Sequence, residues 1–342
     1  MNKSIDFFNF KNYLSKTLEC DPDKIEITRI SGGFSNLTFL VQTSIGKFAM
    51  RRAPFGDKIS KAHDMVRESQ VLTALRKAGY EKAPKPIALY QEDGEESTPL
   101  FVMEYIDGLI LRNKSIPEAT LNEDEFRKLS ENTLDSLIEL HLLELESSGL
   151  INLGKPDGYV KRQVIGWTER YFRSKTNELP EMERVAVWLK VNMPQKENVG
   201  FIHNDYKYDN LVLDREIKTE IKAVLDWEMA TVGDPLMDLG TSLAYWAQAD
   251  DPDILKMFNL THLPGNMTRS EVISYYDYRT PFDLSNILFY YVFGLFKVGV
   301  IAQQIYKRFS QGFTTDPRFA NLIHVVDAAG NQAEISILNE KI

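Results

Sequence analysis

Three oxygen-bearing side chains carry the most specific chemistry in this 342-residue chain. Asp205 and Asn210 lie in Phe201-Ile202-His203-Asn204-Asp205-Tyr206-Lys207-Tyr208-Asp209-Asn210, and Asp226 follows in Val224-Leu225-Asp226-Trp227-Glu228. Phosphoryl transfer asks a protein mainly for positioning and for stabilisation of charge, so its parts are few: a base, metal ligands and cations. Asp205 is suited to accept the proton of an attacking hydroxyl, while Asn210 and Asp226 offer the hard oxygen atoms that a six-coordinate Mg2+ prefers. His203 is expected to brace the loop. Lys207, two residues past the base, is expected to reach the transferring phosphate as a point charge.

The flanking elements must bring these groups together. After Asn210, the apolar runs Leu211–Leu213 and Ile221–Leu225 enclose a polar stretch, the pattern of a strand pair that returns Asp226 beside Asn210. Nearer the N-terminus, Ile25 to Ile30 leads into Ser31-Gly32-Gly33-Phe34-Ser35-Asn36 and out through Leu37 to Val41, a strand, a glycine turn and a strand. Backbone N–H groups of Gly32, Gly33, Ser35 and Asn36 can cover phosphates, although a Gly-Gly pair between strands also makes an ordinary hairpin. A third strand, Lys47 to Arg51, puts Ala49 and Arg51 on one face and Phe48 and Met50 on the other. From Lys61 to Lys77, Met65, Leu72 and Leu75 fall at helical spacing with Glu68 inside the same stripe. An unpaired carboxylate on that face would be costly, so Glu68 is expected to pair with Arg51 and aim it at phosphates, with Arg52 pointing the other way.

The segment HNDYKYDN resembles the HGDxxxxN catalytic loop of the aminoglycoside phosphotransferase and choline kinase relatives, distant cousins of protein kinases, and LDWE resembles their metal-binding segment. Asn204 replaces the usual glycine, and Asn tolerates a positive φ better than most residues. Glu228 stands where protein kinases carry a glycine. Val232-Gly233-Asp234-Pro235-Leu236-Met237-Asp238-Leu239 is similar to the family's GDPxxDL block, in which Asp234 caps a helix and Asp238 bonds the catalytic loop from behind. Pro99 to Gly108 looks like the family's hinge, implying adenine contacts from backbone groups of Glu104 to Ile106, with Met103 behind the base and Tyr105 at its rim. The resemblance implies an α+β, bilobal protein kinase-like fold: a small N-terminal antiparallel sheet lobe with one helix over residues 1–106, and a larger, mostly helical lobe over 107–342 that holds the catalytic and acceptor-binding parts. It further implies ATP and Mg2+ as cofactors and a small-molecule hydroxyl as acceptor.

The remaining helical patterns give softer readings. Leu134, Leu137, Ile138, His141 and Leu145 put His141 on a buried face as a satisfied core histidine. Arg162, Gln163 and Trp167 either border an acceptor pocket or cap a helix pair. The apolar run Ile287 to Phe296 is broken by Lys297 well short of the ~20 residues needed to span a bilayer, so a buried helix is expected. Its continuation to Arg308 resembles the closing helix of a subgroup whose kinase-like domains occur alone in bacteria or fused ahead of acyl-CoA dehydrogenases.

A 43% hydrophobic content supports a sizeable core, and the single Cys20 excludes an intrachain disulfide. The net charge of -9 argues against general binding to nucleic acid or anionic membrane, and the N-terminal residues lack signal-peptide character, which gives a cytoplasmic expectation. Three function classes stay open: a small-molecule kinase, acting on a hydroxyacyl-type metabolite or alternatively an aminoglycoside; a nucleotide-binding pseudokinase; and a hydrolytic metal site built from His203, Asp205, Asp209 and Asp226.

Overall fold

A computed structural model describes residues 7–30, 37–53, 64–91, 98–112, 121–314 and 316–342. The chain divides into two compact units, Met1–Asp107 with Ala223–Met229, and Gly108–Lys222 with Ala230–Ile342.

In the first unit, α1 (Phe8–Leu18) precedes β1 (Glu26–Ile30), β2 (Leu37–Thr43), β3 (Gly46–Arg52), α2 (Met65–Lys77), β4 (Pro86–Tyr90) and β5 (Leu100–Glu104). The strands form one antiparallel sheet in the order β1-β2-β3-β5-β4. Alternation along β3 sorts its two faces. Met50 joins Val41, Val102 and the α1 residues Phe10 and Leu14 in a core against which Phe48 also packs, whereas Ala49 and Arg51 lie outside that cluster. Full burial of side chains such as Phe10 and Leu14 is worth roughly 2–3 kcal/mol each.

Helix α1 is an addition to the single helix expected in this part. Its start is weakly marked, because Phe7 occupies the N-cap and makes no side-chain cap bond. By contrast α2 is well announced: the Asp64 carboxylate accepts the Arg67 amide at 3.1 Å, and Met65, Glu68, Leu72 and Leu75 are all buried. The segment Ala223–Met229 joins this unit through specific contacts. The Val224 amide donates to the Lys82 carbonyl at 2.8 Å, and buried Trp227 meets Tyr80 edge-on with ring centroids 5.8 Å apart.

The second unit is mostly helical. Its helices are α3 (Glu123–His141), α4 (Tyr159–Ser174), α5 (Pro180–Val191), α6 (Pro235–Tyr245), α7 (Asp253–Lys256), α8 (Arg269–Arg279), α9 (Ile287–Ser310) and α10 (Leu322–Asn339). A full capping box starts α3, with Asn122 and Glu125 each accepting the other's backbone N–H. Short strands supply the loops that matter here: β6 (Gly200–Ile202) pairs antiparallel with β9 (Thr231–Gly233), and β7 (Leu211–Leu213) pairs with β8 (Ile221–Val224), the strand pair expected from sequence.

Helix α9 is long and apolar enough to cross a membrane by length and composition, yet it is buried from Phe289 through Val300 and packs on α6, α10 and α4. Glycine permits its closest approach. A Cβ on Gly240 of α6 would lie 2.2 Å from the Tyr290 carbonyl oxygen, and one on Gly294 would lie 2.1 Å from the Gly240 carbonyl oxygen. Backbone therefore meets backbone at this crossing.

Candidate functional site

The first unit carries a buried cation held by three carboxylates. The Arg51 guanidinium on β3 pairs through Nη1 with the Glu68 carboxylate on α2, and through Nη2 with Asp226 Oδ1 at 3.1 Å and Glu228 Oε2 at 3.5 Å. Glu68 is only 2% exposed, so its charge needs a partner that water cannot supply. Burial pushes the Glu68 carboxyl up and Arg51 pulls it back, leaving it raised. Burial also opposes the charge of Arg51, but Glu68, Asp226 and Glu228 outweigh it and hold the guanidinium well above its ordinary value. Two atoms of the pair, Arg51 Nε and Glu68 Oε2, are buried with no hydrogen-bond partner among the described residues. Buried polar atoms in this state call for an explanation, a bound water or ligand being among those that serve.

Arg52 is buried as well, with Nε donating to the Ala53 carbonyl at 3.2 Å. On β5, Met103 is buried and Glu104 half-buried, and Ile106, just past the strand, is half-buried. The Glu104 N–H, one of the backbone groups expected to meet adenine, donates to the Lys85 carbonyl at 2.8 Å, which removes that donor from the hinge set. Gly32, Gly33, Ser35 and Asn36 lie outside the described residues.

The second unit gathers His203, Asp205, Lys207 and Asn210 on one loop after β6. Asn210 Nδ2 donates to the Asp205 carbonyl at 2.8 Å and to its Oδ2 at 3.0 Å, which turns the Asn210 amide oxygen away from the carboxylate. Lys207 Nζ lies 3.1 Å from Asp205 Oδ2 and 3.8 Å from Asp209 Oδ1, and sits 4.6 Å from the centre of the Tyr245 ring. Burial works against its charge, but Asp205, Tyr245 and Asp209 hold the ammonium well above its ordinary value. Lys207 is thus a cation placed beside the Asp205 carboxylate.

A hydrogen-bonded scaffold fixes the loop from behind. Asp238 on α6 accepts the backbone amides of His203 (2.6 Å to Oδ2) and Asn204 (2.7 Å to Oδ1), as expected for this block. His141 on α3 links to Asp238 Oδ2 at 3.1 Å and to the Tyr276 hydroxyl at 2.7 Å, so this buried histidine is satisfied and extends the scaffold two helices outward. The imidazole of His203 is fully buried, and its Nδ1 accepts the Asp205 amide at 3.2 Å. That bond ties the ring to the backbone of its own loop. Asp234 caps α6 by accepting the Leu236 amide at 2.9 Å.

Asn204 has φ 69° and Asp226 φ 68°, the left-handed region that Asn and Asp enter most readily after glycine. The other positive-φ non-glycine residues among those described, Glu19 and Glu340, are helix C-caps, so the strain inside loops falls on the two motifs.

Of the α4 cluster, Arg162 bonds the carbonyls of Asp157 and Lys155 and so fastens the turn ahead of its own helix. Trp167 Nε1 donates to Gln163 Oε1 at 3.1 Å, and the centre of the indole lies 4.7 Å from the Arg170 guanidinium and 5.7 Å from the Lys297 ammonium. Lys297 was legible only as a break in an apolar run. It is 2% exposed, and its Nζ donates to the Asn204 carbonyl at 2.6 Å.

Burial pushes Lys297 down to about 8, opposed by Asp238 and Asp205 and reinforced by Lys207 and Arg170. Its folded pKa is therefore below the ordinary 10.5. Between about pH 8 and pH 10.5 the unfolded chain binds a proton that the folded chain does not, so this group adds stability as pH rises through that window. Relative to Lys297→Met, the wild type should gain up to about 3 kcal/mol across it in urea unfolding. A difference that stays flat with pH contradicts the assignment.

The phosphotransferase enzyme family matches residues 26–270 of the chain. Acyl-CoA dehydrogenase family member 10 of Mus musculus is 32% identical over 289 residues, covering 83% of this chain and 26% of that protein. Acyl-CoA dehydrogenase family member 11 of Rattus norvegicus is 34% identical over 292 residues, covering 84% and 37%. The chain thus spans well under half the length of these curated relatives. Among solved structures, a putative aminoglycoside phosphotransferase from Ralstonia eutropha superposes with a TM-score of 0.83 at 24% identity, over 98% of this chain and 99% of that one, and shares the kinase-like fold.

Proposed function

Because the chain belongs to the phosphotransferase enzyme family, we propose that it transfers the γ-phosphoryl group of ATP to a hydroxyl of a small molecule. The observation that carries this reading is the loop in which Asp205, Lys207 and Asn210 meet within hydrogen-bonding distance. In it, Asp205 accepts the proton of the acceptor hydroxyl, and Lys207 offsets negative charge beside it. Asn210, through its amide oxygen, and Asp226, through its carboxylate, would be the residues to hold Mg2+. Arg51, aimed by Glu68, uses its unpartnered Nε–H on a phosphate oxygen. Bound Mg2+ and ATP supply the transferable phosphoryl group and neutralise the charge that builds on it.

The donor set suits Mg2+. Among the described residues no cluster of three or more His, Cys, Asp or Glu is placed to hold a metal by itself. Mg2+ is usually held by one or two protein oxygens together with phosphates and water, and Asn210 and Asp226 would be those protein ligands. Glycine-loop residues Gly32, Gly33, Ser35 and Asn36 are proposed to cover the phosphates, and Met103, the Glu104 carbonyl and Ile106 to border the base. We place the enzyme in the cytoplasm, where ATP is available.

For the acceptor we propose a hydroxyacyl-type metabolite, supported by the similarity to acyl-CoA dehydrogenase family members. An aminoglycoside is the second reading, favoured by the Ralstonia eutropha structure. The test is ADP release with Mg2+ over a panel of hydroxyacyl thioesters, free hydroxy acids and aminoglycosides. Acceptor-dependent release with a hydroxyacyl compound is expected. Release only with aminoglycosides selects the second reading, and nucleotide binding without turnover on any acceptor makes the protein a pseudokinase.

A further inference from the structure

We infer that Lys297, on a helix far from either motif in sequence, is a positioning residue that sets the orientation of the Asn204–Asp205 peptide and through it the proposed base. This rests on the phosphotransferase reading for its kinetic consequence, but not for its geometry. Lys297 Nζ donates to the Asn204 carbonyl oxygen at 2.6 Å, and the N–H at the other end of that same peptide, from Asp205, donates to His203 Nδ1 at 3.2 Å. The preceding amide is fixed as well, since the Asn204 N–H donates to Asp238 Oδ1 at 2.7 Å. Asn204 meanwhile holds φ 69°, an unfavourable state for a residue with a Cβ. Its side-chain amide lies 3.1 Å from the Tyr159 hydroxyl, so side chain, amide and carbonyl are each held by a different helix.

Without Lys297, the carbonyl would point into a buried region with its acceptor unmet. The peptide's cheapest relief would be to rotate, carrying Asp205 with it. The choice of residue supports a task of this kind. A lysine in the middle of α9, flanked by Phe293, Leu295, Phe296 and Val300, all buried, is expensive to keep. No carboxylate lies within ion-pairing distance of it among the described residues, and the hydrogen bond it makes is to the Asn204 carbonyl. An ammonium on a four-carbon stem spans the gap between α9 and the loop, and the Trp167 ring lies 5.7 Å away to receive part of its charge. Structural need alone would be met by an apolar residue in α9 and a glycine in the loop.

The experiment compares wild type, Lys297→Met and Lys297→Gln in ADP release, with Asp205→Asn as a control on the phosphotransferase reading. Methionine keeps the volume and removes the donor, whereas glutamine keeps a donor one bond shorter. Misplacing a reacting group by about 1 Å costs on the order of 100-fold, so Lys297→Met should lose about 10- to 100-fold in kcat. KM for ATP should stay within about twofold and the melting temperature within a few degrees, and Lys297→Gln should recover part of the rate. Loss of stability with kcat unchanged in the folded fraction overturns the inference, as does unchanged kcat and stability together.

If wild type and Asp205→Asn are equally inactive, the phosphotransferase reading fails, and Lys297 is judged on structure instead. A crystal structure of Lys297→Met with the Asn204–Asp205 peptide rotated upholds the inference, and one with that peptide unmoved overturns it. Should neither variant fold, a wild-type crystal structure decides, with Nζ either on the Asn204 carbonyl or turned away from it.

Discussion

Asp205→Asn is expected to lower kcat for phosphoryl transfer by about 10^2- to 10^4-fold, the usual range for removing a general base, while KM for ATP changes little. The substitution is nearly isosteric. It removes the proton acceptor but keeps an oxygen for the Asn210 amide, which now donates to Oδ2 at 3.0 Å. Lys207 would lose the carboxylate it touches at 3.1 Å, so some of the fall reflects a displaced cation as well as a missing base. Lys207→Met separates the two, because it removes the cation and leaves the carboxylate. If Asp205→Asn retains the wild-type kcat with the acceptor that the wild type uses, the assignment of the base is wrong.

Removing Asp238 should produce the largest loss of stability available near the site. Asp238→Ala strands the amides of His203 and Asn204 and one nitrogen of His141 in a fully buried place. Breaking such a buried network costs about 3–5 kcal/mol, enough to remove much of the stability of an ordinary domain. Burial alone would raise the Asp238 carboxyl, but the hydrogen bonds from His141 and the His203 amide, together with the electrostatic pull of the two rings, hold it below the usual carboxylate range. A carboxyl depressed on folding stabilises the protein above its unfolded pKa, and that contribution is lost as pH falls through the folded value. Urea unfolding at neutral pH and at pH 3 should therefore find the wild type converging on Asp238→Ala in acid. A variant that unfolds at the wild-type urea midpoint at neutral pH would show that Asp238 is dispensable to the loop.

The two predictions draw on residues of unequal visibility in the sequence. The Asp205–Asn210 loop could be singled out because its parts are contiguous: a carboxylate, a cation and a carboxamide within six residues suggest a chemistry without knowledge of the fold. The Arg51–Glu68 pair could be inferred because a carboxylate inside an apolar helical stripe demands a cation, and the strand before it offers one. Asp238 was visible through its block. Its tie to His141 was not, since helix periodicity places a histidine on a buried face but cannot say what it meets there.

Other groups left weaker traces. Glu228 was noticed as a substitution for glycine, yet its place beside Arg51 depends on the turn after β8, which no local pattern encodes. Arg162, a candidate for the acceptor pocket, spends its guanidinium on the turn ahead of its own helix. Helix α1 escaped because its N-cap lacks a hydrogen-bonding side chain. Lys297 is the sharpest case. The sequence shows a charge in an apolar helix, and only its 93-residue separation from Asn204, closed by the packing of the helical unit, gives that charge a job.

The most direct test of the phosphotransferase account is a crystal structure with Mg2+ and a non-hydrolysable ATP analogue. The account predicts one metal ion held by the Asn210 amide oxygen and an Asp226 carboxylate oxygen together with the phosphates, and the Asp205 carboxylate facing the terminal phosphate. A nucleotide bound away from these residues, or Asp205 and Asp226 on opposite sides of it, would contradict the account.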